Sequence, residues 1–418
     1  MTTNSSIHNK ITTFYIWLKE YWPCILISLT VIGFVSKSLY NYPISVMAVI
    51  GLYRTVTSPK VIWQDETLKS FFIIFLCLWI PLFLSFPDAA NQKHSAHTVF
   101  PYLRFLFAGI FIIQELSYNK KRIKFVIISI FLIVTFWCID ASLQLVLGQD
   151  IFGYPYDKYL GLTGMFYPRN TIAHICSILS VFYFITVHRI ALEQKWSLLL
   201  LVPLFLVILV SGRRAAWIML ALSSMGFLVY LYLSANNKKQ ILILIGSISL
   251  VLSIILGSTA LFHKPTNNRL KATQGLFSFD YDAIDHAMGM RLQLWETAYS
   301  TFKANPINGI GPRGFRHTYQ QYASPDNYWV NQTHPHLLTL EIMAETGIIG
   351  LLGYMLALYL LIHRLLIRKK ILDELPFFLP VLVALFPLNA HMAFYGSIWS
   401  SMIWLLLSLY FAKVKLND

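Results

Sequence analysis

The sequence predicts an all-α integral membrane protein of about twelve transmembrane helices, with one long outward loop carrying short amphipathic helices. Three observations lead there. Of 418 residues, 56% are hydrophobic and only 12% charged, against about 25% charged in soluble chains. The apolar residues gather in runs of membrane-spanning length. The basic residues lie mostly between those runs. A larger core does not explain the deficit of charge, because a soluble domain of about 300 residues still leaves roughly a quarter of its chain surface wet. An ordinary soluble enzyme, a disordered chain and a disulfide-rich secreted domain are therefore excluded.

Taken in order, the apolar runs are 22–36, 41–54, 70–87, 99–116, 124–147, 171–188, 197–211, 214–234, 240–262, 345–363, 376–392 and 394–412. The first two are short for a bilayer. The stretch 197–234 is long enough for two spans and is interrupted by Ser211-Gly212-Arg213-Arg214, where glycine and two charges predict a tight turn. The first apolar run is followed by no small-residue cleavage site and is expected to be an uncleaved anchor.

Thirty-three Lys+Arg against nineteen Asp+Glu give a net charge of +14. With a cytoplasmic N-terminus, Arg54, Lys60, Lys69, Lys120, Lys121, Arg122, Lys124, Arg189, Lys195, Lys238, Lys239, Arg364, Arg368, Lys369, Lys370, Lys413 and Lys415 all fall on the cytoplasmic side. Short outward loops hold only Lys37 and Lys93. This positive-inside alternation absorbs most of the excess and makes nucleic acid an unneeded partner. It also places both termini in the cytoplasm. The phospholipid bilayer is the partner that the composition demands. Cys24, Cys77, Cys138 and Cys176 lie in or beside apolar runs, without CxxC spacing, and are expected to be buried thiols.

Three outward features depart from the pattern: the loop 148–170, the Arg213-Arg214 turn, and the polar stretch 263–335. Loops as long as the last usually have a function. Domain boundaries follow: a nine-span bundle over 1–262, an outward loop over 263–335 expected to be catalytic, and a three-span segment of the same domain over 336–418. Within the loop, Leu292, Trp295, Tyr299 and Phe302 recur at helical spacing and Asn305-Pro306 ends the pattern, which predicts an amphipathic helix with those four residues on its apolar face. Gly309-Ile310-Gly311-Pro312-Arg313-Gly314 lacks the strand and the Lys-Ser/Thr ending of a phosphate loop and is expected to be a turn.

The outward cations carry the chemistry that remains. Arg213 and Arg214 suit either an anion clamp or a snorkelling pair. Arg291, opening the amphipathic helix, suits either an anion shared with the helix N-terminus or a solvated loop. Asn331-Gln332-Thr333-His334-Pro335-His336 precedes an apolar run, with Thr333 or His334 expected near the N-cap and Pro335 in the first turn. There a histidine suits a general base, a structural hydrogen bond or a metal ligand. Arg104, inside the fourth span, suits a cavity wall or a snorkelling role.

Together these segments resemble the O-antigen ligase and polymerase superfamily. Gly212-Arg213-Arg214-Ala215-Ala216-Trp217 looks like its Ser-Arg-Gly-Ala-Trp type of turn, with Arg214 on the family arginine, Arg213 in place of a small residue and Ala215 in place of glycine. Arg291 in Met290-Arg291-Leu292-Gln293-Leu294-Trp295 matches the second arginine. His336 with Gly347-Ile348-Ile349-Gly350 fits the histidine–glycine pattern, with Leu337 in place of a polar residue. Gly164-Met165-Phe166-Tyr167-Pro168-Arg169-Asn170 is similar to the family segment before a mid-chain span.

The resemblance covers nearly the whole chain. It implies a bacterial inner-membrane enzyme with a periplasmic active site. The donor would be an undecaprenyl-diphosphate-linked glycan and the acceptor the lipid A–core oligosaccharide of lipopolysaccharide biosynthesis. His336 would act as the catalytic base, and Arg214 and Arg291 would bind the diphosphate. Arg213, His334 and Arg104 are possible supporting residues. No metal and no cofactor is expected. A polysaccharide polymerase with a second lipid-linked glycan as acceptor is the alternative within the superfamily. An anion or lipid-linked glycan transporter is the alternative from another class, against which the expected absence of broken helices and repeats argues.

Overall fold

In the computed structural model, described for residues 2–157, 160–239, 264–330, 332–389 and 392–418 and for scattered residues between 242 and 261, the apolar runs fold as helices. They are α1 (Thr2–Gly33), α2 (Asn41–Thr57), α3 (Lys60–Gln64), α4 (Glu66–Leu84), α5 (Gln92–Ser117), α6 (Lys120–Leu147), α7 (Ile172–Ala191), α8 (Leu201–Val210) and α9 (Arg214–Ser234). Four short helices follow: α10 (Lys264–Thr273), α11 (Tyr281–Met288), α12 (Leu292–Ala304) and α13 (Phe315–Tyr322). Three more close the chain: α14 (Leu338–Leu366), α15 (Ile371–Ala384) and α16 (Ser397–Asn417). No β-strand occurs among the described residues.

Eight helices among the described residues are long and apolar enough to cross a membrane, where the sequence suggested about twelve spans. The protein is a multi-pass membrane protein, and the shortfall has physical reasons. The expected span at 41–54 is the 17-residue helix α2, and that at 197–211 is a 3-10 turn running into the 10-residue α8. The expected span at 376–392 ends at Ala384, because Leu385 caps α15 and Pro387 cannot continue it. Asn389 then folds back onto the carbonyls of Val383 and Ala384 at 3.0 and 3.3 Å. At 14 residues α15 is about 21 Å long. The expected span at 240–262 lies outside the described residues.

Two helices are enclosed by the others: 89% of the apolar window of α7 and 83% of that of α16 are buried. Buried serines let their neighbours come close, as small residues do between membrane helices. Ser177 donates to the Ala216 carbonyl of α9 at 2.9 Å, and Ser400, Ser401 and Ser408 line α16. α16 packs on α5 and α15, α7 on α9, α6 and α15, and α2 on α5. All four cysteines are free, with Cys77 half-buried and the rest buried.

The two ends of the bundle differ. One gathers the ion pairs of Glu115 with Arg54 and Arg122, of Arg368 with Glu374 and Asp418, and of Lys415 with Asp65. Loops gather at the other. There Arg169 bonds the carbonyls of Phe34 and Val35, Arg213 bonds that of Leu160, and Ala90 N–H donates to the Ile310 carbonyl.

At this loop end α14 is broken. Gly347 has φ +62° and ψ −157° inside the helix, a conformation open essentially to glycine alone. The interruption frees backbone groups, and the segment after α12 takes them. Ile348 N–H donates to the Pro306 carbonyl at 2.8 Å and Ile349 N–H to that of Ile307 at 3.2 Å, while Ile310 N–H donates to the Ala344 carbonyl at 3.1 Å. Gly309 sits so close that a Cβ there would lie 2.5 Å from the Glu345 carbonyl carbon. The turn expected at 309–314 is present, with Gly309, Gly311 and Arg313 at positive φ. On its other side Ser95 donates to the Pro312 carbonyl at 2.8 Å, and the His94 and His317 rings meet at 3.0 Å. Leu294, Ala298, Ile310, Phe315, Tyr319 and Ala344 form a small second core that joins the loop to α14. The expectation of unbroken helices is therefore corrected: α14 is interrupted, and its freed groups hold a protein segment.

Gly347→Ala is expected to destabilise the protein by more than about 2 kcal/mol, since the backbone conformation alone costs a non-glycine residue on the order of 1–3 kcal/mol. Its methyl would also fall 2.2 Å from the Ile307 carbonyl oxygen. Thermal unfolding in detergent measures this, and an unchanged Tm would refute it.

Candidate functional site

The turn between α8 and α9 forms as its residues dictate. Val210 ends α8, Gly212 takes φ +66°, and Arg213 is extended (φ −91°, ψ 96°) as the N-cap of α9. Ser211 Oγ donates to the Ile208 carbonyl at 2.7 Å and accepts from Arg213 N–H at 3.3 Å. Arg213 Nη2 reaches the Leu160 carbonyl at 3.3 Å. Arg214 is the first residue of α9, where a cation opposes the helix dipole. It finds compensation across the site, because Nη1 bonds the Ala287 carbonyl in the last turn of α11. Helix C-termini favour cations.

That contact carries Arg214 to within two residues of the turn bearing Arg291. Gly289 ends α11 at φ +78°, and a Cβ on it would stand 3.1 Å from Arg214 Nη2. Met290 follows at φ +60°, and Arg291 is the N-cap of α12. The buried Asp285 holds this turn. Its carbonyl accepts from Met290 N–H at 2.7 Å, Oδ1 from Leu292 N–H at 2.8 Å, and Oδ2 from the Tyr328 hydroxyl at 2.6 Å. Desolvation first, and then that bond to the carboxylate, push the Tyr328 hydroxyl pKa up, so it stays a proton donor. Trp329 Nε1 bonds the Met290 carbonyl.

Helix α12 is present as expected, but rotated. Its buried face is Leu294, Thr297, Ala298 and Thr301, while Tyr299 is 48% exposed. Small side chains meet α14 because the loop docks closely there. The larger apolar stripe lies to the side.

The histidine segment also differs from expectation at its helix start. Leu337, extended at φ −148°, is the N-cap of α14, so Thr333, His334 and Pro335 precede the helix. A residue before proline is driven out of the helical region, and His336 at φ +54° breaks the path again. The turn is tied down by Leu338 N–H on the Asn389 carbonyl at 2.9 Å and Thr339 Oγ1 on that of Pro387 at 3.3 Å. His336 is half-buried, with its ring centroid 3.8 Å from that of His334. His334 Nδ1 lies 2.9 Å from Thr333 Oγ1.

His174, buried in the first turn of α7, shows what the fold assembles, because Arg213, Arg291 and His336 all lie close to it. With the Arg214–Ala287 bond, residues from four regions of the chain converge. Arg213, Arg291 and Leu337 are each an N-cap, and none of their side chains closes its own helix. Three positive dipole ends therefore add to the arginines. Arg104 has another setting, on Ser397 Oγ at 2.9 Å and over the Phe105 ring. No group of three or more His, Cys, Asp or Glu suited to a metal ion occurs among the described residues.

Sequence reasoning missed three supports. His174 lay unremarked in an apolar run. Glu341 and Glu345, further along the helix that follows the histidines, carry no expectation from the sequence, yet both are buried. Glu341 accepts from the backbone N–H groups of Phe394 and Tyr395 at 3.0 and 3.4 Å and stands 3.9 Å from Arg313 Nη1, and Glu345 accepts from Arg313 N–H at 2.7 Å. Two carboxylates four residues apart in an apolar helix are the signal that marks them.

Residues 198–355 match the family model described as O-antigen ligase. Over these residues the chain is similar to the O-antigen ligase family. The matched segment contains Arg213, Arg214, Arg291, His334, His336, Gly347 and Gly350. An uncharacterised protein of Haemophilus influenzae is 26% identical over 326 residues, which cover 76% of this chain and 77% of that protein. The similarity is to a family of glycosyltransferase-like membrane enzymes of polysaccharide assembly.

Asp285→Ala removes the acceptor of Leu292 N–H and of the Tyr328 hydroxyl, and a hydrogen bond to a charged group is worth about 1.5–3 kcal/mol. The segment 281–330 is then expected to be cut faster by protease and glycan transfer to fall, while Asp285→Asn, which keeps one acceptor, retains more of both. Limited proteolysis beside a transfer assay checks the order.

Proposed function

We propose that this protein is an O-antigen ligase, transferring polysaccharide from undecaprenyl diphosphate to the lipid A–core oligosaccharide at the periplasmic face of the bacterial inner membrane. The observation that carries the reading is the convergence of Arg213, Arg214, Arg291 and His336 at the loop end, beside three helix N-termini. A lipid diphosphate holds its anion at one depth in the membrane. Guanidinium forks match phosphate oxygens in paired geometry. Helix N-termini favour the same anion. The lysines and arginines expected on the cytoplasmic side, Arg54, Arg122, Arg364 and Arg368 among them, cluster at the other end and support a periplasmic loop end.

In the reaction, His336 takes the proton from an acceptor hydroxyl as that oxygen attacks the anomeric carbon. The bond from that carbon to the diphosphate oxygen breaks, and undecaprenyl diphosphate leaves with the electron pair. Arg214 and Arg291 stabilise the charge that builds on the leaving oxygen. One displacement inverts the anomeric centre. His334, its ring close to that of His336 and its Nδ1 on Thr333, orients the base, and Arg213 adds positive potential while holding the loop 148–170. The arginines take the role that a divalent metal has in many soluble glycosyltransferases. The segment 263–335 acts as the catalytic lid over the two membrane segments, 1–262 and 336–418.

His336→Ala is expected to lower transfer by about two to four orders of magnitude at equal protein level and membrane insertion. Normal surface polysaccharide on that variant sinks the assignment. Arg214→Lys and Arg291→Lys are expected to recover only part of the loss seen in the alanine variants, because lysine offers a point charge in place of a fork. Purified protein is expected to keep its activity in excess EDTA. A deletion strain separates the readings. Rough lipopolysaccharide with accumulated lipid-linked polymer marks a ligase, and single repeat units on the core mark a polymerase.

A further inference from the structure

A cleft of about 500 Å³ opens at the loop end between the α1–α2 connection and the loop 148–170. Its walls combine Lys37, Arg169, Phe152, Tyr154 and Tyr167, and no carboxylate is among the lining residues. Tyr154 and Tyr167 stack on each other, with ring centroids 5.3 Å apart and planes at 20°. Arg169 is fixed by its Nη2 bonds to the Phe34 and Val35 carbonyls, and its buried Nη1 has no hydrogen-bond partner among the described residues. Such an atom needs an acceptor that the protein itself does not supply.

The wall is built, not incidental. Gln144 in the last turn of α6 donates to the Tyr154 and Pro155 carbonyls and accepts from Thr163 and Gly164 N–H. Asp140 accepts from Ile151 and Met165 N–H at 3.1 and 2.8 Å. The same loop reaches the catalytic turn, since the Leu160 carbonyl accepts from Arg213 and from Asn170.

A fixed pair of aromatic rings suits the apolar C–H face of a sugar. Two cations with no carboxylate among the described lining residues select an anionic substituent, and a planar guanidinium favours phosphate or carboxylate. Arg214 and Arg291 already account for the donor's diphosphate. We propose that this cleft is the acceptor subsite and holds an anionic saccharide, with Lys37 and Arg169 on its phosphate or carboxylate and Tyr154 and Tyr167 beneath its ring. The proposal rests on the glycan-transfer reading for the identity of the saccharide, but binding tests it without any transfer step.

The experiment uses the full chain in nanodiscs, without donor. The probes are water-soluble phosphorylated core oligosaccharide, freed from its lipid, and the same oligosaccharide after phosphatase treatment. The phosphorylated form is expected to bind about tenfold or more tightly than the treated one, the worth of one charged hydrogen bond. Lys37→Ala and Tyr154→Ala, both at solvent-accessible side chains, are each expected to weaken it by a similar factor with Tm unchanged. Equal binding of the two probes overturns the proposal, as does unchanged binding in both variants. Binding of a short prenyl-diphosphate-linked sugar is expected to be insensitive to Lys37→Ala, and weakening there reassigns the cleft to the donor and overturns the acceptor assignment. Should His336→Ala retain transfer while the phosphorylated probe still binds through Lys37, the catalytic reading fails and the cleft stands.

Discussion

The break in α14 is the constraint on which the loop end depends. A helix in an apolar setting keeps its backbone groups paired, and an interruption has to be satisfied by other atoms. Here the atoms come from the segment just after α12. Gly347 removes the side chain that would keep that segment away, and the carbonyls of Pro306 and Ile307 then complete the helix ladder. The exchange runs both ways, because Ile310 N–H is completed by Ala344. Loop and membrane helix therefore fold as one unit. The position of Arg291, at the head of α12, is inherited from that docking.

Around this junction the chain uses its few acids in an unusual way. Asp140, Asp285, Glu341 and Glu345 are all buried, and each accepts backbone N–H groups from a loop. They act as local substitutes for the secondary structure that the loops lack. Buried polar groups persist only when so paired. The turn that bears Arg291 is thus set by a carboxylate, Asp285, and a glycine, Gly289.

Local signals in the sequence were enough for much of this. The Ser211–Arg214 turn was legible because glycine and two charges interrupt an apolar run. The helix at 292–304 was legible from its periodicity, and the turn at 309–314 from its glycines and proline. What depended on partners was not. The buried face of α12 was misjudged because close approach rewarded Ala298 and Thr301 over the larger rings. The start of α14 was placed early because the positive φ of His336 is set by Asn389 and Pro387, fifty residues downstream. The span count ran high because hydropathy cannot tell a 14-residue helix followed by a folded-back turn from one that continues. The family motifs named Arg214, Arg291 and His336, but only the fold shows that His174 lies near Arg213, Arg291 and His336.

The bond from Arg214 to the Ala287 carbonyl gives the site an internal occupant. Were an anion to take the Nη1 donor that Ala287 now uses, its measured affinity would be a difference between two contacts. Removal of Arg214 then reports less than the anion contact is worth. The exchange also frees the last turn of α11, the turn that leads through Gly289 to Arg291. An anion that displaced the Ala287 carbonyl from one arginine would thereby loosen the tether of the other.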